Sequence, residues 1–305
     1  MEILTTLTTE QRNESTMEID HMSTYDILKI FNQEDQSVAK SVERVLPEIA
    51  EAVEIVSAAF TKGGRLLYVG AGTSGRIGIL DAVECPPTFG TPPDLVQGMI
   101  AGGDQAIMKA VEGAEDNPAL GAADLEERGL TELDVVVGIA ASGRTPYVAG
   151  ALKHAQELGA KTISLSSNKN AKISQYADIK IDVVTGPEVL TGSTRLKAAT
   201  AHKMVLNMLT TTTMIQAGKI YQNLMVDVKV SNYKLKERAK HIIAAVTEVS
   251  LEEAAATLEK AQLEVKPAIV MIKANVNYEE AKELLHQADG FVRYAITRAT
   301  SDNDT

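Results

Sequence analysis

The chain has 305 residues, of which 45% are apolar and 23% charged, the balance of a globular protein with one large domain and room for a small one. A formal net charge of −11, no tryptophan and only 4% aromatic residues argue against nucleic acid as a partner, since a phosphate backbone would meet a repelling surface and few stacking rings. Cys85 is the single cysteine, so no internal disulfide or cysteine metal cluster forms; neither a signal-peptide core nor a run near the ~20 apolar residues of a membrane span is present.

Residues 1 to 20 are polar and aperiodic and read as an arm. Ser23 is placed to cap a short helix over 24 to 32, and Asp35 or Ser37 to cap a long amphipathic helix to about Thr61, with Pro47 as a point of kinking or splitting. Gly63-Gly64 stops that helix. The apolar run Leu66 to Val69 then delivers the chain to Gly70-Ala-Gly-Thr-Ser-Gly-Arg76, a glycine-rich turn opening into a helix. Such a turn presents backbone N–H groups, here joined by the hydroxyls of Thr73 and Ser74, and suits a phosphate ester. It also serves as an ordinary tight turn. The dinucleotide fingerprint is not completed, because no acid ends the second apolar run, Leu95 to Ala101, and Asp104 is better placed as a helix cap; no Gly-Lys-Ser/Thr follows for a phosphate loop.

Short apolar runs then alternate with helical stretches. Strands are predicted at Leu66 to Val69, Leu95 to Ala101, Val135 to Ala140, Thr162 to Ser166 and Ile179 to Val183, with helices near 76 to 84, 104 to 112, 118 to 128, 146 to 159 and 169 to 176. A doubly wound, five-stranded parallel α/β sheet results, binding its ligand beyond the carboxyl ends of the strands. Two further ends there are rich in hydroxyls: Ser142-Gly143-Arg144-Thr145 after the third strand, and Ser164 to Asn168 on the fourth. Gly186 to Lys197 follows the fifth strand and leads into a helix to about Gly218, with Ser193 or Thr194 as its cap and its positive end toward the same crevice.

The C-terminal stretch carries a repeat. Val249-Ser-Leu-Glu-Glu-Ala254 recurs as Val276-Asn-Tyr-Glu-Glu-Ala281, and Leu258/Leu285, Ala261/Ala288, Val265/Val292, Ala268/Ala295 and Ile269/Ile296 stay in register. Each copy reads as two short helices, which makes a small helical domain over about 240 to 300, its carboxylates a solvated face.

Two acids stand out by position. Glu84 is expected to close the first loop's helix before Pro86-Pro87, and Glu115 lies at the break Ala114-Glu-Asp-Asn-Pro118; partly desolvated carboxylates at such breaks can divide into an acid and a base, while a surface location is the plain alternative. Cys85 has no basic neighbour and reads as a buried small hydrophobe. Five scattered histidines give no metal-ligand spacing, His202 reads as a surface or paired core residue, and Arg144, Arg195 and Lys197 are the cations suited to an anion.

At this point the sequence resembles the N-acetylmuramic acid 6-phosphate etherase family, within the sugar-isomerase (SIS) superfamily related to the glucokinase regulatory protein. The motifs are Gly70 to Arg76, Asp81-Ala-Val-Glu-Cys-Pro-Pro87, Ile100 to Gly103, Ala114 to Asn117, Ala140 to Tyr147, Gly186 to Lys197 and Asn223-Leu-Met-Val-Asp227. The resemblance implies a SIS-type three-layer αβα sheet domain over 36-235, preceded by an arm and short helix over 1-35 and followed by a small UBA-like helical domain over 240-305. It implies cleavage of a lactyl ether by elimination and hydration, with Glu84 and Glu115 catalytic. Gly72, Thr73, Ser74, Ser142, Gly143, Arg144, Thr145, Ser193 and Lys197 would then bind the substrate and its phosphate. No metal or cofactor, a sugar-phosphate partner, a cytoplasmic location and a homodimer are the remaining expectations. A sugar-phosphate-binding regulator and an aldose-ketose phosphate isomerase would use the same pocket.

Overall fold

The computed structural model describes residues 7–109, 111–228, 230 and 232–301, and residues 1–6 of the expected arm lie outside them. The chain divides into two compact units, Met1–Val83 with Pro93–Thr210, and Glu84–Pro92 with Thr211–Thr305.

In the first unit, residues 7–22 form three 3-10 turns, with Leu7, Thr9, Asn13 and Thr16 buried. The arm is therefore docked. Helix α1 (Thr24–Glu43) is continuous through Asp35 and Ser37, which cap nothing there; Ser23 caps it, accepting from Asp26 N at 3.3 Å. The break falls at Arg44-Val45. Helix α2 (Leu46–Thr61) restarts with Pro47 in its first turn, where the missing N–H has no intrahelical acceptor to lose. Then follow β1 (Leu66–Gly70), α3 (Gly72–Phe89, its residues from Glu84 on counted in the second unit), β2 (Val96–Ile100), a single turn α4 (Gln105–Met108), α5 (Pro118–Glu127), β3 (Val135–Ile139), α6 (Pro146–Leu158), β4 (Lys161–Ser166), a 3-10 turn at Lys172–Tyr176, β5 (Ile179–Asp182) and α7 (Lys197–Gln216, its residues from Thr211 on counted in the second unit). Asp104 precedes α4 without a side-chain capping bond.

The sheet order is β2-β1-β3-β4-β5, with every pairing parallel. β1 and β3 are buried along their whole length because both sheet faces are covered, which explains why their sequences are continuous apolar runs. On one face, Gly138 has room only for a hydrogen beneath Val148 and Leu152 of α6. On the other, Gly78 of α3 lies against Tyr68 and Ile139.

α3 does not stop at Pro86-Pro87. Two consecutive prolines keep a helical φ and forfeit the bonds to the carbonyls of Ala82 and Val83, but the ladder resumes as Gly90 N donates to Pro86 O at 2.9 Å. Glu84 is thus inside the helix, not at its end.

The second unit contains a short hairpin of β6 (Ile220–Tyr221) and β7 (Leu224–Met225), which the sequence pattern did not suggest, and α8 (Tyr233–Thr247). The repeat follows as α9 (Leu251–Lys260) with α10 (Val265–Ala274), and α11 (Tyr278–Gln287) with α12 (Val292–Ser301). Ser250 and Asn277 cap the first helix of each copy by accepting from the N–H of Glu253 and Glu280. Left-handed residues also recur in phase: Glu248 with Asn275, Gln262 with Asp289, and Leu263 with Gly290. Leu258, Leu285, Val265 and Val292 join one core. Lys219 and Lys266 both bond Asp227 Oδ2, at 3.0 and 2.7 Å; burial pushes the Lys266 ammonium's pKa down, against the pull of that carboxylate.

Candidate active site

β1 and β3 are hydrogen-bonded neighbours, with Gly70 level with Ile139, so the turns that follow them leave the sheet side by side. From β1 the chain crosses to β2 on one side, and from β3 to β4 on the other. The gap between the two turns is therefore the switch point of the winding, where doubly wound sheets open a crevice.

The first wall is the start of α3. Gly72 has φ +52°, and Gly75 must be glycine because a Cβ there would sit 2.6 Å from Ile100. Thr73 and Ser74 are half-buried in the first helical turn, where Ser74 N donates to Ala71 O at 3.1 Å and Gly75 N to the same oxygen at 3.4 Å. Arg76 points elsewhere: its guanidinium donates to the carbonyls of Ala106 (2.7 Å) and Ile107 (2.8 Å), closing the end of α4. Asp81, one or two turns further along α3, is buried and accepts from Tyr68 Oη (3.0 Å), Lys203 Nζ (2.8 Å) and Thr210 Oγ1 (2.9 Å), which fixes the helix to β1 and α7.

The second wall is Ser142 to Thr145. Ser142 Oγ accepts from Arg144 N at 3.3 Å, Gly143 takes φ +70° with its O accepting from Ile173 N at 3.0 Å, and Thr145 occupies the N-cap of α6 with no side-chain capping bond. Glu115 joins this wall by its backbone, accepting from Tyr147 N at 3.0 Å. Tyr147 is buried and donates to Asp124 at 2.6 Å, and burial together with that bond raises its pKa. Glu115 is therefore tied to the first turn of α6, and its side chain is exposed.

Other expected residues are placed differently. The β4 end is not a ligand edge: Ser164 pairs with Ser174 (2.9 Å), Ser166 with Asp182 (3.0 Å), Ser167 with His202 (3.0 Å), and Asn168 with the arm. Neither Ser193 nor Thr194 caps α7. Glu188 does so from nine residues upstream, fully buried, accepting from Lys197 N at 2.9 Å and Ala198 N at 3.0 Å. The helix's positive end is already occupied by a carboxylate, whose pKa burial raises against the pull of those two bonds. Lys197 is buried and donates to Glu34 at 2.5 Å, so it faces α1. Ser193 is half-buried in a turn closed by its own N–H to Leu190 O at 2.9 Å, and Arg195 is exposed. Glu84 belongs to the second unit and is exposed, so neither candidate acid is enclosed by its surroundings in the chain. Cys85 is buried, as expected of a small hydrophobe. His202 is buried completely, which pushes its pKa down to about 4.

Sequence reasoning named Glu188, Asp81 and Asn168 only within longer motifs and assigned none of them its bonding role. An acid among apolar helical neighbours, as in Ile79-Leu80-Asp81-Ala82, was the available signal for one of them.

The sheet order is that of a doubly wound α/β domain, and the family matches make it a SIS domain. The chain matches the family models "Glucokinase regulatory protein N-terminal SIS domain" over residues 48–156, "SIS domain" over 122–212, and "C-terminal lid domain of glucokinase regulatory protein" over 222–267. It is 58% identical to the N-acetylmuramic acid 6-phosphate etherase of Geobacillus sp. (strain WCH70), over 96% of this chain and 100% of that one. It is 54% identical to the one of Pectobacterium atrosepticum, over 96% and 97%. Among solved structures, the phosphoheptose isomerase GmhA of Neisseria gonorrhoeae aligns with a TM-score of 0.49 at 18% identity, over 62% of this chain and 97% of its own. The chain belongs to the N-acetylmuramic acid 6-phosphate etherase family. Among the described residues, no helix is long and apolar enough to cross a membrane.

Proposed function

We propose that the protein cleaves the D-lactyl ether at C3 of N-acetylmuramic acid 6-phosphate, giving N-acetylglucosamine 6-phosphate and (R)-lactate. The observation that carries this reading is the pairing of two hydroxyl-bearing turns at the switch point, with Glu115 tied to the second of them. The names of the relatives support it. Thr73, Ser74, Ser142, Gly143, Arg144 and Thr145 anchor the phosphate, which sets the distance from C6 to the reacting carbons. Ser193, half-buried in the turn before α7, remains a further candidate for this anchor, and Lys197 stays outside it because Glu34 already holds it.

Opening of the pyranose exposes an aldehyde at C1 and acidifies the C2 proton. Glu115 removes that proton as base, lactate leaves from C3 as Glu84 protonates the ether oxygen, and water activated by Glu84 adds back to C3 while C2 regains a proton. The aldehyde supplies the electron sink, so the steps balance with two carboxyl groups alone. We further take the protein to be a homodimer and cytoplasmic; a phosphorylated sugar does not cross a bilayer unaided, which supports the location.

Lactate release from N-acetylmuramic acid 6-phosphate tests the reading. Run in deuterium oxide and ¹⁸O water, the reaction should place deuterium at C2 and ¹⁸O at C3 of the amino sugar. Label in lactate instead would replace elimination by attack on the lactyl carbon. Binding without any lactate would favour the regulator, and a ketose from a simple hexose 6-phosphate the isomerase.

A further inference from the structure

The arm of residues 7–16 is hydrogen-bonded to the end of β4 through the Asn168 side chain. Asn168, 2% exposed at the end of β4, accepts from Thr8 N at 2.7 Å and donates from Nδ2 to Thr9 Oγ1 at 3.1 Å and to Ala141 O at 3.0 Å. Its backbone carbonyl accepts from Ser166 Oγ at 2.8 Å, which holds the main chain of the residue. Ala141 is the residue immediately before Ser142. One carboxamide thus joins segments 160 and 27 positions away from it in sequence, the second of which begins the phosphate-binding turn.

The surroundings support the same connection. Leu7 and Thr8 of the arm, with Ser142, Arg144 and Asn168, line a cavity of about 470 Å³ beside that turn. Glu10 lies next to Gly192, and Thr9 is fully buried although polar, so the arm is seated by hydrogen bonds as much as by apolar contact.

We propose that Asn168 is a positioning residue that couples the N-terminal arm to the Ser142 to Thr145 turn. This rests on the reading of that turn as the phosphate anchor. With the arm seated, the amide holds the Ala141 carbonyl and the turn keeps its conformation. With the arm released, the amide loses two of its three partners and the turn loosens. Because such coupling is reciprocal, phosphate bound at the turn also seats the arm.

Three variants of the full chain test it: Asn168→Asp, Asn168→Ala and Thr9→Val. Aspartate still accepts from Thr8 N and from the Thr9 hydroxyl, but it sets a carboxylate oxygen against Ala141 O. Lactate release by Asn168→Asp should therefore show KM raised about tenfold with kcat within about threefold, while arm amides stay protected in hydrogen exchange. Asn168→Ala should raise KM and also expose the arm amides, and Thr9→Val should do both more weakly. In the wild type, inorganic phosphate should slow exchange of the arm. A wild-type KM in Asn168→Asp overturns the coupling, as does unchanged arm exchange in Asn168→Ala or arm exchange indifferent to phosphate. Should Asn168→Ala fail to fold, the other two variants decide. Should the wild type release no lactate, the functional reading falls by itself, and the coupling is then judged by exchange at 141 to 145, which must quicken in Asn168→Asp.

Discussion

Replacing Glu188 by glutamine should destabilise the protein by about 2 kcal/mol. Both carboxylate oxygens are engaged by the first turn of α7, at 2.9 and 3.0 Å, with the side chain fully buried. Glutamine keeps one acceptor and turns an NH2 group toward the other N–H, so one bond of the charge-assisted kind, worth about 1.5–3 kcal/mol, is lost. The interaction of the charge with the helix end, about 0.3–1 kcal/mol, goes with it. Against this, burial already disfavours the ionised form, as the raised pKa shows, and its removal returns part of the loss. For a unit of this size about 2 kcal/mol lowers the melting temperature by roughly 4–8 °C. Alanine leaves two buried N–H groups unpaired and should cost more, about 3–4 kcal/mol. Thermal melts at neutral pH, followed by circular dichroism or calorimetry, read both values. A glutamine variant melting within a degree of the wild type would refute the cap, and so would an alanine variant no worse than glutamine.

His202 makes stability depend on pH: the unfolded chain takes up its proton near the ordinary 6.5 and the folded chain only near 4, so stability is full above 6.5 and falls by about 3 kcal/mol as pH drops to about 4. Urea titrations of His202→Gln should lack that loss, and parallel curves for the two proteins would contradict it. Glu84→Gln and Glu115→Gln should each lower kcat for lactate release by about 10²-fold or more with substrate binding retained. Ser74→Ala and Ser142→Ala should instead raise KM and leave kcat nearly unchanged in the same assay. Gly143→Ala should raise KM about tenfold or more and lower the melting temperature, because φ is +70° and the added Cβ would lie 2.3 Å from that of Ala171.

Features that depend on local pattern could be read directly. β1 and β3 announce themselves as apolar runs because both faces are covered, and the turns after them because glycine and hydroxyl residues mark close backbone approach. The helical repeat was legible nearly to the residue, since its apolar positions recur at a fixed interval. What escaped were bonds between a side chain and a distant backbone. Glu188 reaches nine residues forward to cap α7, displacing Ser193 and Thr194 from the role that capping preferences assign them. The arm looked unstructured because hydrogen bonds to Asn168, rather than a hydrophobic period, hold it. Lys197 suggested an anion ligand by charge alone, and Glu34 on α1 supplies the anion. Pro86-Pro87 suggested a helix end, because the penalty for proline is local while the support for the last turn of α3, with Cys85 and Phe89 buried, is not.

The in-phase turns of the two helical copies place the same backbone demand on different residues. The copies share caps, left-handed residues and a core, and the place where they differ most in backbone tolerance is Leu263 against Gly290, at φ +66° and +80°. A leucine in that conformation costs about 1–2 kcal/mol that glycine does not. Leu263 offsets it by packing against the common core, a contact worth about 1 kcal/mol or more for a partly buried leucine, which Gly290 cannot make. The two copies meet the same geometric demand by opposite means, one by chain flexibility and one by apolar contact, so a substitution at either turn acts through a different physical quantity.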